Sequence, residues 1–192
     1  LFHKSGKQIT DWYKHVSRSG IVYGESDYCI IENGTRKAIF DKDGNQLSNW
    51  CDEIDGYDFI EGKSNHYAVK ENGKYAVFNQ NMERVSDWFE HIYFGRTVEK
   101  NPGCYIARKD NKEVILDMNG HQISDWYDYI YPEGFVNSQS DYYIVEKDNK
   151  EAIFHKDGYQ VSDWNHRIDI VGLVFGTSEY YIGENGMFYY IY

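Results

Sequence analysis

Proline is nearly absent: Pro102 and Pro132 are the only two in 192 residues. Cysteine is sparse as well, limited to Cys29, Cys51 and Cys104. An odd set without a CxxC pair is neither a disulfide framework nor a zinc site. The three also sit at different places within the repeat described below. They therefore read as small core or surface residues, and they favour a reducing compartment. A cytoplasmic location is the expectation, with secretion as the alternative if a leader has been removed. Positive charge is in short supply, since 20 Lys and Arg face 31 Asp and Glu for a net charge of -11. Neutralising a phosphate backbone needs clustered Lys and Arg, so a nucleic-acid partner is excluded. Docking on an anionic membrane surface is excluded on the same ground. No apolar run approaches the length of a membrane-spanning helix, so no insertion is expected. From Leu1 onward no charged n-region or apolar h-region is visible. Sustained helical periodicity is missing too.

Aromatic residues, by contrast, make up 18% of the chain. That is too many for a disordered segment. The five tryptophans reveal the organisation. Trp12, Trp50, Trp88, Trp126 and Trp164 are spaced by 38 residues without exception. Each closes a Ser/Thr-Asp/Asn-Trp element, and each is followed four residues later by Val16, Ile54, Ile92, Ile130 or Ile168. A second column holds Ile39, Val77, Ile115, Ile153 and Ile191. Periods of this size mean solenoids, propellers or arrays.

One copy, Tyr142 to Glu179, divides into four apolar runs. Tyr142 to Glu146 and Glu151 to His155 flank the polar turn Lys147-Asp148-Asn149-Lys150. Asp157-Gly158 signals a second turn. Gln160 to Ile168 is expected to be a third strand, passing through Ser162-Asp163-Trp164, and Val171 to Phe175 a fourth. Consecutive apolar residues such as Cys29-Ile30-Ile31 and Ala38-Ile39-Phe40 predict sheets covered on both faces. Small sheets stacked around an axis meet that requirement. Leu1 and Phe2 fall on the columns of Ile191 and Tyr192, and neither end resembles a polar capping repeat. The expected fold is all-β: a five-bladed β-propeller of five four-stranded repeats, forming a single domain over residues 1–192. Its alternative is an open β-solenoid or repeat array. If blades begin at the strand of Tyr142, both termini share the fifth blade. If they begin at the Trp-bearing strand, all five are contiguous. Closure would bring Leu1 and Tyr192 together.

The stretches Asn72-Gly73-Lys74-Tyr75-Ala76-Val77-Phe78 and Lys150 to Gly158 resemble the core of the bacterial WG (KWG) repeat. Asp41-Lys42-Asp43-Gly44 and Tyr127-Asp128 match later parts of that pattern. The Trp-Gly pair itself is replaced by Lys37-Ala38, Tyr75-Ala76, Glu113-Val114, Glu151-Ala152 and Tyr189-Tyr190, as in a divergent relative. The resemblance implies a bacterial repeat protein and no single chemistry.

The candidate ligand-binding residues are the five tryptophans with Asp11, Asp87, Asp125 and Asp163, and Asn49 in the same column. Exposed indoles beside carboxylates suit stacking on a sugar ring, giving a lectin with repeated sites. The competing reading makes Trp a packing anchor between blades and has Ser and Asp capping local backbone. Asp52, Glu90 and Asp128 form a second acidic column, which could hold a cation or a basic peptide. His166 and Lys14 interrupt it, and no metal or cofactor is expected. Asp41-Lys42-Asp43-Gly44 starts like a calcium loop but lacks the closing acid. No nucleophile elbow, HExxH or phosphate loop occurs, and no catalytic residue is assigned. His15 and His91 share a column with Glu53, Tyr129 and Arg167, which reads as solvent-exposed. Asn101-Pro102-Gly103 breaks the repeat as a loop variant. The expected function is a non-enzymatic interaction module that binds a protein partner, a basic one by charge. Tyr57 and Asp58, Phe94 to Arg96, and Tyr131 to Glu133 are candidate contact loops. The rival is a carbohydrate-binding propeller. A hydrolase using a funnel carboxylate pair comes third.

Overall fold

The computed structural model describes residues 1–94, 103–185 and 188–191. Within them the chain is all-β, built from five small antiparallel sheets, the repeated element of a β-propeller. It divides into two compact units, Leu1–Trp88 and Phe89–Tyr192.

In the first unit, β1 (His15–Val16), β2 (Tyr28–Asn33) and β3 (Arg36–Asp41) form one sheet. The next is β4 (Glu53–Asp55), β5 (His66–Glu71) and β6 (Lys74–Asn79), with the one-turn helix α1 (Tyr57–Ile60) between β4 and β5. The second unit holds three sheets. They are β7 (His91–Phe94) with β8 (Cys104–Lys109) and β9 (Lys112–Asp117); β10 (Tyr129–Ile130) with β11 (Tyr142–Lys147) and β12 (Lys150–His155); and β13 (Arg167–Ile168) with β14 (Ile182–Asn185) and β15 (Phe188–Ile191). Every sheet is contiguous in sequence, and each starts just after the Trp-bearing segment.

The long hairpins form where the turn chemistry demands them. Asp148 and Asn149, at φ 53 and 57, join β11 to β12. Asn72-Gly73 and Asp110-Asn111 do the same for the neighbouring hairpins, also at positive φ. Two left-handed central residues make the tight turn whose twist matches its strands. Cross-strand pairs such as Ile144 with Ile153 and Ile30 with Ile39 set the register.

Both sheet faces are covered, as the continuous apolar runs require. In the first sheet Ile30 and Ile39 pack with Ile54, Ile60 and Tyr67 of the next repeat. Cys29, Ile31, Ala38 and Phe40 pack on the opposite side, with Tyr13, Val16 and Trp50. In the second unit Tyr143 and Val145 pack against Ile106 and Ile115, while Ile144 and Ile153 pack against Ile168 and Val174. Burying each such side chain contributes about 1.5–3 kcal/mol before conformational entropy is subtracted.

Among the described residues each sheet is three-stranded rather than four-stranded. The stretch Gln160 to Ile168 is not one strand. Phe154 bridges Gln160 and Glu151 bridges Asn165, so four residues (161–164) lie opposite two of β12 (152–153). The extra pair forces the Ser-Asp-Trp element out of the ladder as a bulge. Its end, Arg167–Ile168, then leaves to pair with β14 of the next sheet. Val171 to Phe175 forms turns instead of a strand. Gly172 and Gly176 adopt positive φ, and the Thr177 and Gly176 amides bond back to the Gly172 and Leu173 carbonyls. Tyr192, Pro102 and Gly95 to Arg96 lie outside the described residues, so the closure distance, the Asn101-Pro102-Gly103 break and most of the Phe94 to Arg96 loop do too.

Candidate functional site

The Ser/Thr column of each repeat has a defined task. The Ser86 hydroxyl accepts the Val77 N–H at 2.8 Å, Ser124 accepts Ile115 at 2.8 Å, and Ser162 accepts Ile153 at 2.9 Å. Ser48 accepts Ile39 at 2.8 Å, and Thr10 accepts the terminal ammonium of Leu1 at 2.9 Å. A bulge removes the backbone carbonyl that a regular ladder would offer at this position. The hydroxyl replaces it, so a buried donor stays satisfied. Each Ser hydroxyl also donates to the carbonyl of the next residue, for example Ser86 to Asp87 at 2.8 Å. Gln8, Gln46, Gln122 and Gln160 brace the bulge by donating to the Thr10, Ser48, Ser124 and Ser162 carbonyls.

The bulge turns Asp and Trp outward. Asp11, Asn49, Asp87, Asp125 and Asp163 are all exposed. Among the described residues none of the four Asp carboxylates makes a hydrogen bond or an ion pair. The capping expected of this column is therefore the work of Ser, not of Asp. The indoles lean on the preceding aromatic of β3 and its equivalents. Ring centroids lie 6.0 Å apart for Phe2 and Trp12, 5.9 Å for Phe40 and Trp50, and 6.3 Å for Phe154 and Trp164. Trp12 is 84% exposed and Trp126 37%, whereas Trp50, Trp88 and Trp164 are half-buried. The tryptophans both pack and present a face.

The second acidic column is structural. Asp52 accepts the Asn72 N–H at 2.8 Å, Asp128 accepts Asp148 at 2.8 Å, and Glu90 accepts Asp110 at 3.4 Å. Each caps the left-handed turn of the following hairpin. Lys112 also pairs with Asp128, and with the Asp148 amide it holds that carboxyl below the usual carboxylate range. Among the described residues no three His, Cys, Asp or Glu side chains are grouped to hold a metal ion. The column of His15, Glu53, His91, Tyr129 and Arg167 is exposed throughout. Tyr57 and Asp58 fall in α1.

Two carboxylates missed by sequence reasoning lie deeper. Glu113 accepts the Ile130 N–H at 2.8 Å and pairs with Arg108 at 2.7 Å. Glu151 accepts the Ile168 N–H at 2.5 Å and the Tyr131 hydroxyl at 2.7 Å. Burial, and then the bond to Glu151, raise the Tyr131 phenol above its ordinary range. Both carboxylates stitch one repeat to the next. Glu151 borders a cavity of about 470 Å³ with Arg167, Asp169 and Glu184. The sequence signal was the column itself, where Glu113 and Glu151 stand in line with Lys37 and Tyr75.

A groove recurs between one repeat's bulge and the next repeat's hairpin. In the second unit it holds about 330 Å³ and is lined by Ile123, Asp125, Tyr127, Tyr143 and Phe154. The corresponding groove of the first unit holds about 340 Å³ and is lined by Leu47, Asn49, Cys51, Tyr67, Phe78 and Trp88. Glu71 and Met82 also line it, with Ser48, Trp50 and Val69. Burial, and then the neighbouring Glu71 carboxylate, push the Cys51 thiol up to about 11, which keeps it protonated near neutrality.

No family model matches the chain. No curated protein matches it either. Among solved structures it is similar to one described as a eukaryotic initiation factor, at 12% identity and a TM-score of 0.44, with 97% of this chain and 53% of that chain covered. It is also similar to Kluyveromyces lactis Hsv2, at 4% identity and a TM-score of 0.36, with 88% and 57% covered. The chain thus spans little more than half the length of either.

Proposed function

We propose that this chain is a non-enzymatic interaction module that binds a basic protein segment along its Asp- and Trp-bearing bulges. The observation behind this reading is the contrast between two adjacent columns. Repetition of Ser/Thr is accounted for by the bulge, because each hydroxyl satisfies a buried N–H. Repetition of the next residue is not, because the side chains of Asp11, Asp87, Asp125 and Asp163 are exposed and their carboxylates bond to nothing among the described residues. Within each unit, exposed carboxylates beside partly exposed indoles form a polar, acidic and aromatic surface. Aromatic residues are enriched at interfaces, and a net charge of -11 favours encounter with a basic partner. Kinship with the WG repeat belongs to the same proposal and rests on the hairpin motifs alone.

The test is a peptide array probed with the native chain, in parallel with a glycan array. Basic peptides are expected to bind, to weaken as salt rises, and to lose most of their signal in the triple variant D87N/D125N/D163N. Reproducible binding to one sugar class, with no peptide selected, would establish the lectin reading instead. Peptide binding indifferent to both salt and the triple variant would place the contact elsewhere.

A further inference from the structure

Four departures from the repeat meet at the groove of the first unit. Cys51 stands where the other copies carry Tyr13, Phe89, Tyr127 and Asn165. Glu71 stands where they carry Asn33, Lys109, Lys147 and Asn185. Met82 replaces Gly6, Gly44, Gly120 and Gly158, and Arg84 replaces four glutamines. Cys51, Glu71 and Met82 line one cavity together with Trp88, and Arg84 lies over that Trp. Met82 keeps the left-handed backbone of the glycines it replaces, at φ 63. An unbranched side chain in that region is strained, and such strain persists where the surroundings impose it. Here Met82 packs on the apolar cluster of the groove and its sulfur accepts the buried Tyr67 hydroxyl at 3.1 Å.

We infer that this groove is a pocket for a lysine side chain of the partner segment, an assignment that rests on the interaction-module reading. Three observations select the ligand. The Glu71 Oε1 bonds to Arg36 at 3.0 Å, while its Oε2 is buried without a hydrogen-bond partner. One open carboxylate oxygen suits a compact ammonium, because the fork of an arginine needs both. Apart from Ser48, Asn49 and Cys51, the remaining lining is aromatic and aliphatic, matched to a four-carbon stem. The Trp88 ring already takes a cation from within the chain, since the Arg84 guanidinium lies 5.8 Å from its centroid. No other copy combines these features: where Cys51 becomes Tyr127 the larger side chain is buried in the groove, and where Glu71 becomes Lys147 the charge is reversed.

The experiment titrates the whole chain with a blocked Gly-Lys-Gly peptide and its norleucine counterpart, following the five indole N–H signals by NMR. The lysine peptide is expected to shift the Trp88 signal saturably, and the norleucine peptide to bind about tenfold more weakly or worse. Glu71→Gln should weaken the lysine peptide about tenfold. Cys51→Tyr, which restores the residue of two other copies, should abolish the shift with the circular dichroism spectrum unchanged. If that variant does not fold, Met82→Gly serves, since it restores the glycine of four copies. Equal affinity for norleucine, indifference to Glu71→Gln, or no Trp88 shift at millimolar peptide would each overturn the pocket. D87N/D125N/D163N leaves Glu71, Cys51 and Met82 untouched, so failure of the pocket and failure of the broader reading give different results.

Discussion

At the scale of single residues, the bulge separates two side chains that look equally repeated. Ser86 is buried, and its hydroxyl is the acceptor for the Val77 N–H, at a residue that is fully buried. Ser86→Ala would leave that donor unpaired away from water, which costs about 1–3 kcal/mol. Asp87 beside it is exposed, and Asp87→Asn should fall within about 0.5 kcal/mol of the parent. Urea unfolding of the two variants checks the contrast. A loss at Asp87 as large as at Ser86 would mean that the carboxylate has a structural role after all. The sequence placed Ser and Asp in one motif and could not divide their work, because the division depends on which side of a bulge each side chain leaves. Cys51, Glu71, Met82 and Arg84 were equally opaque. Each is an ordinary substitution taken alone, and only the geometry shows that the first three line one groove while Arg84 lies over its Trp88 wall.

At the scale of elements, the hairpins were legible because their cause is local. Asn72-Gly73 and Asp148-Asn149 tolerate positive φ, and the flanking apolar runs supply the pairing. The Trp-bearing segment was misread as a continuous strand because pairing at both of its ends hides a two-residue excess in the middle. The run Val171 to Phe175 was misread because buried Val174 gives a loop the apolar content of a strand. The same loop in the preceding repeat shows what holds it. Gly134 sits at φ +83, and a Cβ there would lie 2.1 Å from the Tyr142 carbonyl oxygen and 2.9 Å from that of Val174. The Ser140 hydroxyl ties the two loops by donating to the Val174 carbonyl at 2.6 Å. Gly134→Ala therefore combines left-handed strain with a backbone clash, and should destabilise by more than about 2 kcal/mol. Gly158 has similar φ but open space around its Cβ, so Gly158→Ala should cost only about 1 kcal/mol. Comparing their denaturation midpoints isolates the clash, and equal shifts would show that the loops yield.

At the scale of the whole molecule, the three thiols report on folding because they are buried in both units, Cys29 and Cys51 in the first and Cys104 in the second. Burial pushes Cys29 and Cys51 up to about 11 and Cys104 up to about 12. In the unfolded chain they ionise near the ordinary value of about 8.5. Between these limits the folded state binds more protons than the unfolded state, so stability falls as pH rises. Below about pH 8 both states are protonated and the effect vanishes. Tyr127, raised to about 12 by burial and then by Asp125, extends the loss to higher pH. Urea midpoints measured from pH 7 to pH 11 should therefore be flat at first and decline above about pH 9. Thiol-reagent uptake during the same unfolding adds a second reading. If residues 1–192 act as one domain, Cys51 and Cys104 become reactive at the same urea concentration, with one midpoint shared with the tryptophan signal. Two midpoints, one for Cys29 and Cys51 and another for Cys104, would instead show two domains, each of whose repeats must then complete its core within its own unit.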